Sequence, residues 1–313
     1  MPLPASLSPL RLPAIASPMF LTSGPDLVVE TCKAGMIGAF PALNQRSSEG
    51  FRDWLHDIKA RLAEAPGAAP YAVNLIVHKS NPRVEADLAI CIEEKVPLVI
   101  TSLGAVADLV TAVHGYGGVV FHDVINARHG RSAARAGVDG LIAVAAGAGG
   151  HAGVTNPFAL IAELRSFFAG TIVLAGAINT GAQIAAARIA GADMAYLGTR
   201  FLATRESLVV PAYKQMVVES AAADVVYTPG ISGVNANFLR ASIAAAGLDP
   251  DNLPEPGHMD MANEARAWRD IWSAGQGVGG ISDIPPAGEL VARLIAEYRA
   301  AMQAAAADPF ARG

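Results

Sequence analysis

Short runs of apolar residues recur between residues 12 and 198, and more polar segments separate them. Most of these runs are continuously apolar rather than alternating between apolar and polar positions. Such runs are typical of strands that are buried on both faces, as in a parallel sheet. The predicted strands are residues 12–17, 36–40, 71–77, 97–102, 118–124, 140–146, 171–176 and 194–198.

Amphipathic helical patterns lie between the runs. In residues 47–65, Phe51, Leu55 and Ile58 recur at helical spacing and share one face. A strand followed by a helix, repeated eight times within about 220 residues, predicts an α/β fold of the (β/α)8 TIM-barrel type. A doubly wound parallel sheet is the alternative, because the pattern alone does not establish closure. Further helices are predicted at 84–96, 127–137, 156–168 and 181–191.

The alternation of strands and helices ends after the eighth run. Residues 205–223 carry one more helical pattern, and residues 224–285 are rich in Gly, Pro, Asn and Asp around shorter helices. We predict a TIM barrel over residues 1–222 that is closed by a C-terminal helix at 286–305. Residues 223–285 are predicted to be a cap or insertion segment and not an independent domain.

Composition narrows the functional classes. Hydrophobic residues make up 52% of the chain and charged residues 16%, which supports a large core and argues against disorder. The formal net charge is −5 and no basic run occurs, so we expect no nucleic-acid partner. No apolar stretch approaches about 18 residues, so we expect no membrane span. The N-terminus lacks the pattern of a signal peptide, and we therefore expect a cytoplasmic protein.

Cysteine and histidine spacing gives no sign of a metal site. The two cysteines, Cys32 and Cys91, lie in apolar helical patterns and are expected to be buried free thiols. The seven histidines show none of the short spacings that metal sites use. We therefore expect no metal.

The residues that follow the predicted strands are the candidates for chemistry, because active sites of such barrels lie at the C-terminal strand ends. Strand seven ends at Gly176 and Ala177, and strand eight ends at Gly198 and Thr199. Small residues there let a phosphate approach backbone N–H groups at the start of a helix. The alternative is that these residues only make tight turns, and spacing leaves both interpretations open.

The segment GAGGHAG, residues 147–153, follows the sixth run. It matches a dinucleotide-binding glycine pattern, but the next strand ends without the acid that this pattern requires. The loop places His151 on the predicted catalytic face, where an imidazole exchanges protons near neutral pH. We therefore favour His151 as a candidate base over the alternative of a surface histidine.

Several motifs resemble those of the nitronate monooxygenase family, also called 2-nitropropane dioxygenase-like. GAGGHAG is similar to the family's AGGH-x-G element, and LGTRFLAT at 197–204 is similar to its element after the eighth strand. The resemblance covers essentially the whole chain. Further matching segments are SPM at 17–19, VNL at 73–75, the turn at 176–178 and IWSAGQG at 271–277.

The resemblance implies an FMN-dependent TIM barrel in which His151 is the catalytic base. Met19 would then lie against the flavin, Asn74 would hydrogen-bond to it, and His122 would lie near its pyrimidine edge. Two glycines of the loop would pass close to the ring, and backbone groups after strands seven and eight would bind the phosphate. The implied cofactor-binding residues are Met19, Asn74, His122, Gly149, Gly150, Gly176, Ala177, Gly198 and Thr199.

Several positions depart from the family's motifs. Val144 stands where many members have Gln, and Gly147 stands where many have Glu. Ala177 replaces the second glycine of the turn after strand seven, and a backbone phosphate contact tolerates alanine there if its φ angle is negative. The first two changes alter side chains near the flavin and therefore bear on the substrate.

The resulting prediction is a flavin-dependent oxidoreductase that oxidises alkyl nitronates or nitroalkanes with O2. Its expected partners are a small-molecule substrate and O2, and the oligomeric state is left open, with a homodimer included. Trp272, Tyr227 and Asn237 of the cap are candidates for the substrate pocket, with ordinary packing as the alternative. The alternative functions are an NAD(P)H-dependent FMN reductase of quinones or enoyl thioesters, a non-catalytic flavin-binding protein, and a flavin-free barrel for a phosphorylated metabolite.

Overall fold

The computed structural model describes residues 3–104, 106–255 and 268–311. Eight strands form one closed parallel barrel, in which the last strand pairs with the first. Closure confirms the predicted TIM barrel and excludes the doubly wound sheet, and each predicted run contains one barrel strand. The barrel strands are β1 (Ala14–Ala16), β2 (Ile37–Pro41), β3 (Tyr71–Ile76), β4 (Leu98–Ser102), β5 (Val119–Val124), β6 (Gly140–Val144), β8 (Thr171–Ala175) and β9 (Met194–Leu197), and β7 (Gly150–His151) lies outside the barrel.

Helices follow the strands and surround the barrel. Their starts carry local signals, since Ser47 Oγ accepts a hydrogen bond from the Gly50 N–H at 3.1 Å, and Thr180 and Gln183 form a capping box. The helices that build the fold are α1 (Pro25–Lys33), α2 (Ser48–Ala63), α3 (Val84–Glu93), α4 (Ala107–His114), α5 (Ala127–Arg135), α6 (Pro157–Arg165), α7 (Gly181–Ile189), α8 (Thr199–Leu202), α9 (Pro211–Glu219), α10 (Arg240–Ala245) and α11 (Ala287–Ala306).

The helix predicted over residues 205–223 is shorter in the structure. α9 begins at Pro211, and Val210 before it is extended, with φ −61° and ψ 152°. A proline disfavours the helical conformation in the residue before it, so residues 205–210 cannot join the helix. The prediction was therefore wrong for residues 205–210, and also for residues 220–223, which follow the end of α9 at Glu219.

The apolar core has two layers because successive strand side chains point to opposite faces. One set of strand positions packs inside the barrel, and the other set packs against the helices. The inner layer contains Ile15, Ile37, Ala72, Ile100, Phe121, Ile142, Val173 and Met194. This alternation determines which residue of each strand end faces the barrel interior.

Helix α11 packs against α7 and α1 on the outside of the barrel. The Gly181 N–H donates to Glu297 Oε2 at 2.7 Å, and a Cβ on Gly181 would lie only 2.2 Å from the Leu294 carbonyl oxygen. The two helices therefore approach each other closely at a position that needs glycine. The predicted C-terminal helix at 286–305 is found as α11, displaced by one residue.

The cap segment contributes a small antiparallel sheet next to the glycine loop. Strands β10 (Val225–Thr228) and β11 (Ala236–Leu239) pair with each other, and β11 also pairs with β7, with Ala236 opposite His151. Residues 256–267 of the predicted cap lie outside the described residues. None of the helices in the described ranges is long and apolar enough to cross a membrane.

Candidate active site

A cavity of about 1400 Å³ opens at the C-terminal end of the barrel. This volume exceeds the range of roughly 300–1,000 Å³ that is usual for a single small ligand, so a cofactor and a substrate fit together. The cavity brings together all the residues that the sequence predicted for the site. They are Met19, Asn74, His122, Gly149, Gly150, His151, Gly176, Ala177, Gly198 and Thr199.

The floor of the cavity is the uppermost layer of the barrel interior. Ser102 and Asp123 each lie two residues beyond an inner-layer residue of the same strand, so their side chains share its face. The same spacing applies to the other floor residues. We define the floor as Asn74, Ser102, Asp123, Val144 and Tyr196, all of which line the cavity.

Three floor side chains form a hydrogen-bonded chain. The Asn74 amide donates to the Ile100 carbonyl oxygen at 3.2 Å and to Ser102 Oγ at 2.8 Å. The Ser102 hydroxyl in turn donates to Asp123 Oδ2 at 2.5 Å. The three strands β3, β4 and β5 are therefore linked across the floor by their side chains.

Asp123 is the only carboxylate among the described residues that line the cavity. Burial raises the pKa of Asp123 to about 6, while the Ser102 hydrogen bond and the charge of His151 act in the opposite direction. Burial also raises the pKa of Tyr196, and the nearby Asp123 adds to that rise. The floor thus holds a carboxyl that titrates near neutral pH beside a phenol that stays protonated.

His122 lies at the end of β5 but on the face opposite to Asp123. Its side chain leaves the strand on the outer face, its Nδ1 is 2.7 Å from Thr101 Oγ1, and the residue still lines the cavity. Burial lowers the pKa of His122 to about 4, and the charge of His129 contributes to this. His122 is therefore neutral at pH 7 and brings no positive charge to the cavity.

The glycine loop needs glycine for two different reasons. Gly147 and Gly150 have φ angles of 85° and 68°, in the left-handed region. A Cβ on Gly147 would also lie 3.0 Å from Gln276 Oε1, and one on Gly149 would lie 2.9 Å from the Gly275 nitrogen. A residue with a side chain at position 147 would therefore be strained in this backbone conformation and would crowd Gln276.

The backbone and ring contacts of His151 hold it at the wall of the cavity. Its backbone belongs to β7, which pairs with β11. Its ring packs edge-on against Trp268, with 5.3 Å between ring centroids and 81° between planes. Trp268 in turn stacks on Phe238 at 5.0 Å. The imidazole is thereby placed by a strand and by an aromatic pair.

Side chains from distant segments fix the shape of the loop. The Gly150 N–H donates to Ser273 Oγ at 2.8 Å, and the Ser273 hydroxyl donates to the Asn237 carbonyl oxygen at 2.6 Å. The Asn237 amide then donates to the Ala148 carbonyl oxygen at 2.6 Å. The loop is therefore tied to two separate parts of the cap segment, around Asn237 and around Ser273.

The three cap residues predicted for the substrate pocket have different surroundings. Tyr227 lines the cavity, and its hydroxyl donates to the Ala152 carbonyl oxygen at 3.1 Å. Trp272 lines the cavity and stacks on Tyr213, with ring centroids 4.9 Å apart. Asn237 is buried and holds the loop as described above. Two of the three candidates therefore reach the cavity.

The strand ends after β8 and β9 form the corner assigned to a phosphate. Gly176 has a φ of 136°, and Ala177 has a φ of 53°. The condition of a negative φ at Ala177 is not met, because the turn requires the left-handed conformation here. Gly198 and Thr199 begin α8, and Thr199 Oγ1 already accepts from the Gly275 N–H at 2.8 Å. In this corner Thr199 can therefore offer its backbone N–H to a ligand.

Met19 lies beside this corner. A Cβ on Gly198 would lie 2.9 Å from Ser17 Oγ and 3.7 Å from the Met19 sulfur. The Met19 backbone is held by its own N–H, which donates to Ser23 Oγ at 3.0 Å. The absence of a side chain at Gly198 therefore keeps the cavity open next to Met19.

These residues fit a flavin. In α8 the Phe201 and Leu202 N–H groups donate to the Gly198 carbonyl oxygen, which leaves the Thr199 and Arg200 N–H groups for an anion such as a phosphate. The glycine loop leaves room for a planar ring, and the amide oxygen of Asn74 is available to a ring N–H. Among the described residues, no group of His, Cys, Asp or Glu could hold a metal ion. Cys32 and Cys91 are buried free thiols, as predicted.

Sequence analysis missed the polar residues that support the site. Asp123, Ser102 and Tyr196 are three of the five floor residues, and Ser273 with Tyr213 secures the segment behind the loop. Alternation along β5 carries a signal, because Asp123 lies two residues after the inner-layer Phe121. No comparable signal exists for Ser273, whose partners are far away in the sequence.

Comparison with known proteins supports one family. A family model described as nitronate monooxygenase matches residues 3–297. A nitronate monooxygenase of Paraburkholderia phytofirmans is 28% identical to the chain over 93% of each protein.

Two solved structures are similar in fold. The nitroalkane oxidase from Streptomyces ansochromogenes has a TM-score of 0.81 at 24% identity and covers 94% of this chain and 97% of its own. FabK from Thermotoga maritima has a TM-score of 0.79 at 24% identity, with 95% and 96% covered. At this level of identity the two structures establish only the fold. The family model matches nearly the whole chain and therefore establishes the family. The chain belongs to the nitronate monooxygenase family of flavin-dependent oxidoreductases.

Proposed function

We propose that this protein uses FMN and O2 to oxidise alkyl nitronates and nitroalkanes, with His151 as the base. The observation that carries the proposal is the position of His151, held by strand pairing at the wall of a cavity large enough for cofactor and substrate. Membership of the nitronate monooxygenase family supports the reaction class.

His151 suits proton abstraction from carbon. A neutral nitroalkane must lose its α-carbon proton to become a nitronate, and a positioned imidazole accepts such a proton near neutral pH. The β7–β11 pairing and the edge contact with Trp268 restrict the ring, which favours a reproducible approach to the substrate. A preformed nitronate needs no base, and His151 then serves to orient it.

Bound FMN supplies the two-electron chemistry that the side chains lack. We assign the phosphate to backbone N–H groups near Ala177 and Thr199, and the ring to the space between the glycine loop and Met19. Because the pKa of His122 is about 4, that side chain contributes hydrogen bonding and not charge.

Part of the cavity lining is apolar and favours a substrate with an apolar part. Trp272 and Tyr227 of the cap line the cavity, and Val144 places an aliphatic side chain on the floor. The carbon chain of the nitroalkane is assigned to contacts with these side chains.

Replacement of His151 by asparagine tests the assignment of the base. We expect kcat/KM for a neutral nitroalkane to fall by about 10²–10⁴-fold, the usual contribution of a general base, and kcat/KM for the preformed nitronate to fall far less. FMN content measured by absorbance should not change. His114→Asn is the matched control, because His114 contacts Asp139 at 2.8 Å and does not line the cavity. Equal losses on both substrates would show that His151 is not the base.

Anaerobic addition of NADH separates the proposed oxidation from an NAD(P)H-dependent reductase. We expect the absorbance of the bound flavin near about 450 nm to persist with NADH and to bleach with a nitronate. Rapid bleaching by NADH alone, followed by quinone or enoyl thioester reduction, would instead identify a reductase.

A further inference from the structure

The Asp123 carboxylate lies in a position that is unusual for a charged group. It lies on the cavity floor, and its Oδ1 is buried without a hydrogen-bond partner among the described residues. Its other oxygen accepts the Ser102 hydroxyl at 2.5 Å. A buried, half-satisfied carboxylate costs stability, so its presence at the floor of an active site calls for a functional explanation.

The hydrogen bonds on the floor have a fixed direction. An ionised carboxylate can only accept, so the Ser102 hydroxyl must donate its hydrogen to Asp123. The Ser102 oxygen is then free to accept from Asn74, whose second amide hydrogen goes to the Ile100 carbonyl. Both amide hydrogens of Asn74 are thereby used, and Asn74 presents only its oxygen to the cavity.

We propose that Asp123 is a positioning residue for the bound flavin, which acts through Ser102 to hold Asn74 as a hydrogen-bond acceptor. The inference rests on the proposed function, because it takes Asn74 to be a flavin contact. Asp123 itself need not touch the reacting atoms. It sets the direction of a chain of hydrogen bonds that ends at the cofactor.

The groups that face Asp123 make the chain sensitive to protonation. Ser102 on β4, His151 on β7 and Tyr196 on β9 are the polar or titratable side chains whose interactions with it are seen. A protonated carboxyl can donate to the Ser102 oxygen, so the Ser102 hydroxyl is no longer held as a donor to Asp123, and the Ile100 carbonyl alone then orients the Asn74 amide. The effect of Asp123 should therefore disappear at acid pH.

Flavin affinity measures this effect without turnover. The apo-protein is titrated with FMN, and the Kd is obtained from the quenching of flavin fluorescence. Asp123→Asn is expected to weaken FMN binding by about tenfold at pH 8, the value of one hydrogen bond to a charged group. At pH 5 the Kd values of variant and wild type should converge. The ratio of the variant and wild-type Kd values cancels the titration of the FMN phosphate. A ratio that is the same at pH 5 and pH 8 would overturn the proposal.

A double-mutant cycle tests whether Asp123 acts through Ser102. In a Ser102→Ala background, Asp123→Asn should change the Kd for FMN by less than about twofold, because the bridge is already gone. The same loss in both backgrounds would show that Asp123 acts directly or by general damage. Ser102→Ala alone should also weaken FMN binding at pH 8 and not at pH 5, which keeps the proposal testable if Asp123→Asn does not fold.

Asp139→Asn is the matched control for the carboxyl-to-amide change. Asp139 accepts from the Val120 N–H at 2.8 Å, and it does not line the cavity, so its replacement should leave the Kd for FMN unchanged. The binding experiment contains no substrate. A wild-type protein that does not oxidise nitronates would therefore refute the proposed function without affecting the measured Kd values for FMN. A Kd unchanged by Asp123→Asn at pH 8 would refute the positioning role alone.

Discussion

Ala177 adopts a backbone conformation that favours glycine. Its φ of 53° lies in the left-handed region, where an L-residue with a Cβ loses about 1–2 kcal/mol. The residue is exposed to the cavity, and Gly277 lies close enough that a Cβ on Gly277 would be 3.0 Å from the Ala177 Cα. The chain therefore carries local strain at the corner assigned to the phosphate.

Ala177→Gly should stabilise the protein. Relief of the strain outweighs the greater entropy that glycine gives to the unfolded chain, and we expect the free energy of unfolding to rise by about 0.5–1 kcal/mol. Urea denaturation of the apo-protein measures this change. Ala145→Gly is the control, since Ala145 is fully buried and has no positive φ, and it should lower stability. A destabilised Ala177→Gly would contradict the interpretation.

The neighbours His122 and Asp123 respond to acid in opposite ways. The pKa of His122 is lowered to about 4, so the folded state binds fewer protons than the unfolded state up to about pH 6.5. The pKa of Asp123 is raised to about 6, so the folded state binds more protons than the unfolded state below that pH. As pH falls from 6.5 to 4, His122 lowers the free energy of unfolding and Asp123 raises it.

Single substitutions should reveal the two opposing contributions. His122→Gln is expected to reduce the loss of stability between pH 7 and pH 5, and Asp123→Asn is expected to increase it. Chemical denaturation at the two pH values gives both slopes. Parallel curves for wild type and both variants would mean that neither group changes its proton affinity on folding.

At the residue scale, sequence reasoning predicted the position of His151 and of the glycines around it, because the loop that carries them follows a barrel strand. These residues line the cavity, and their roles stay predictions. Asp123 escaped because its role depends on Ser102 and Asn74, which lie on two other strands. The conformation of Ala177 was also not predictable, because alanine gives no local sign of a positive φ.

At the scale of elements, β7 is the strand that depends most on contacts with other segments. It has two residues, Gly150 and His151, and it exists through its pairing with β11. Ser273 adds an acceptor for the Gly150 N–H and a donor to Asn237. β11 and the segment around Ser273 thus support the glycine loop, which is too short to hold its shape alone.

Ser273→Ala should increase the mobility of the glycine loop without unfolding the barrel. The Gly150 N–H loses its acceptor, and we expect a loss of about 1–3 kcal/mol in unfolding free energy with faster amide hydrogen exchange at Gly150. Turnover of nitroalkanes should fall more than FMN affinity. Ser232→Ala is the control, because Ser232 Oγ donates to the Val234 carbonyl oxygen and has no recorded contact with the loop. Unchanged exchange at Gly150 would show that the loop does not depend on Ser273.

The barrel elements were predictable and β7 was not, for one physical reason. Strands β1 to β6, β8 and β9 have continuous apolar runs, because each is buried on both faces. β7 is polar and glycine-rich, and its partner strand lies far along the sequence. The start of α9 was also missed, although Pro211 gave a local signal.

At the scale of the whole molecule, the contact of α7 with α11 brings the end of the chain onto the barrel. Gly181 at the start of α7 faces the backbone of α11, with the Leu294 carbonyl oxygen and the Tyr298 nitrogen closest. Gly288 on the same helix α11 faces open space. Gly181 and Gly288 therefore allow the same substitution to be compared at a crowded position and at an open one.

Gly181→Ala should destabilise the protein, and Gly288→Ala should not. The added methyl of Gly181→Ala has no room, and we expect a loss of about 2–4 kcal/mol in unfolding free energy as the helices separate. Gly288→Ala should be neutral or stabilising by up to about 1 kcal/mol, since alanine favours the helix. Thermal unfolding of both variants measures the difference. Similar Tm values would mean that the approach of the helices is not essential.

The distant residues that hold the glycine loop determine when the loop can take its shape during synthesis of the chain. The last barrel strand ends at Leu197, while Asn237 and Ser273 emerge from the ribosome later. A nascent chain can therefore close its barrel before the loop that carries His151 has any lasting shape. Until the final third of the chain is made, the barrel strands are present without the residues that give the glycine loop its shape.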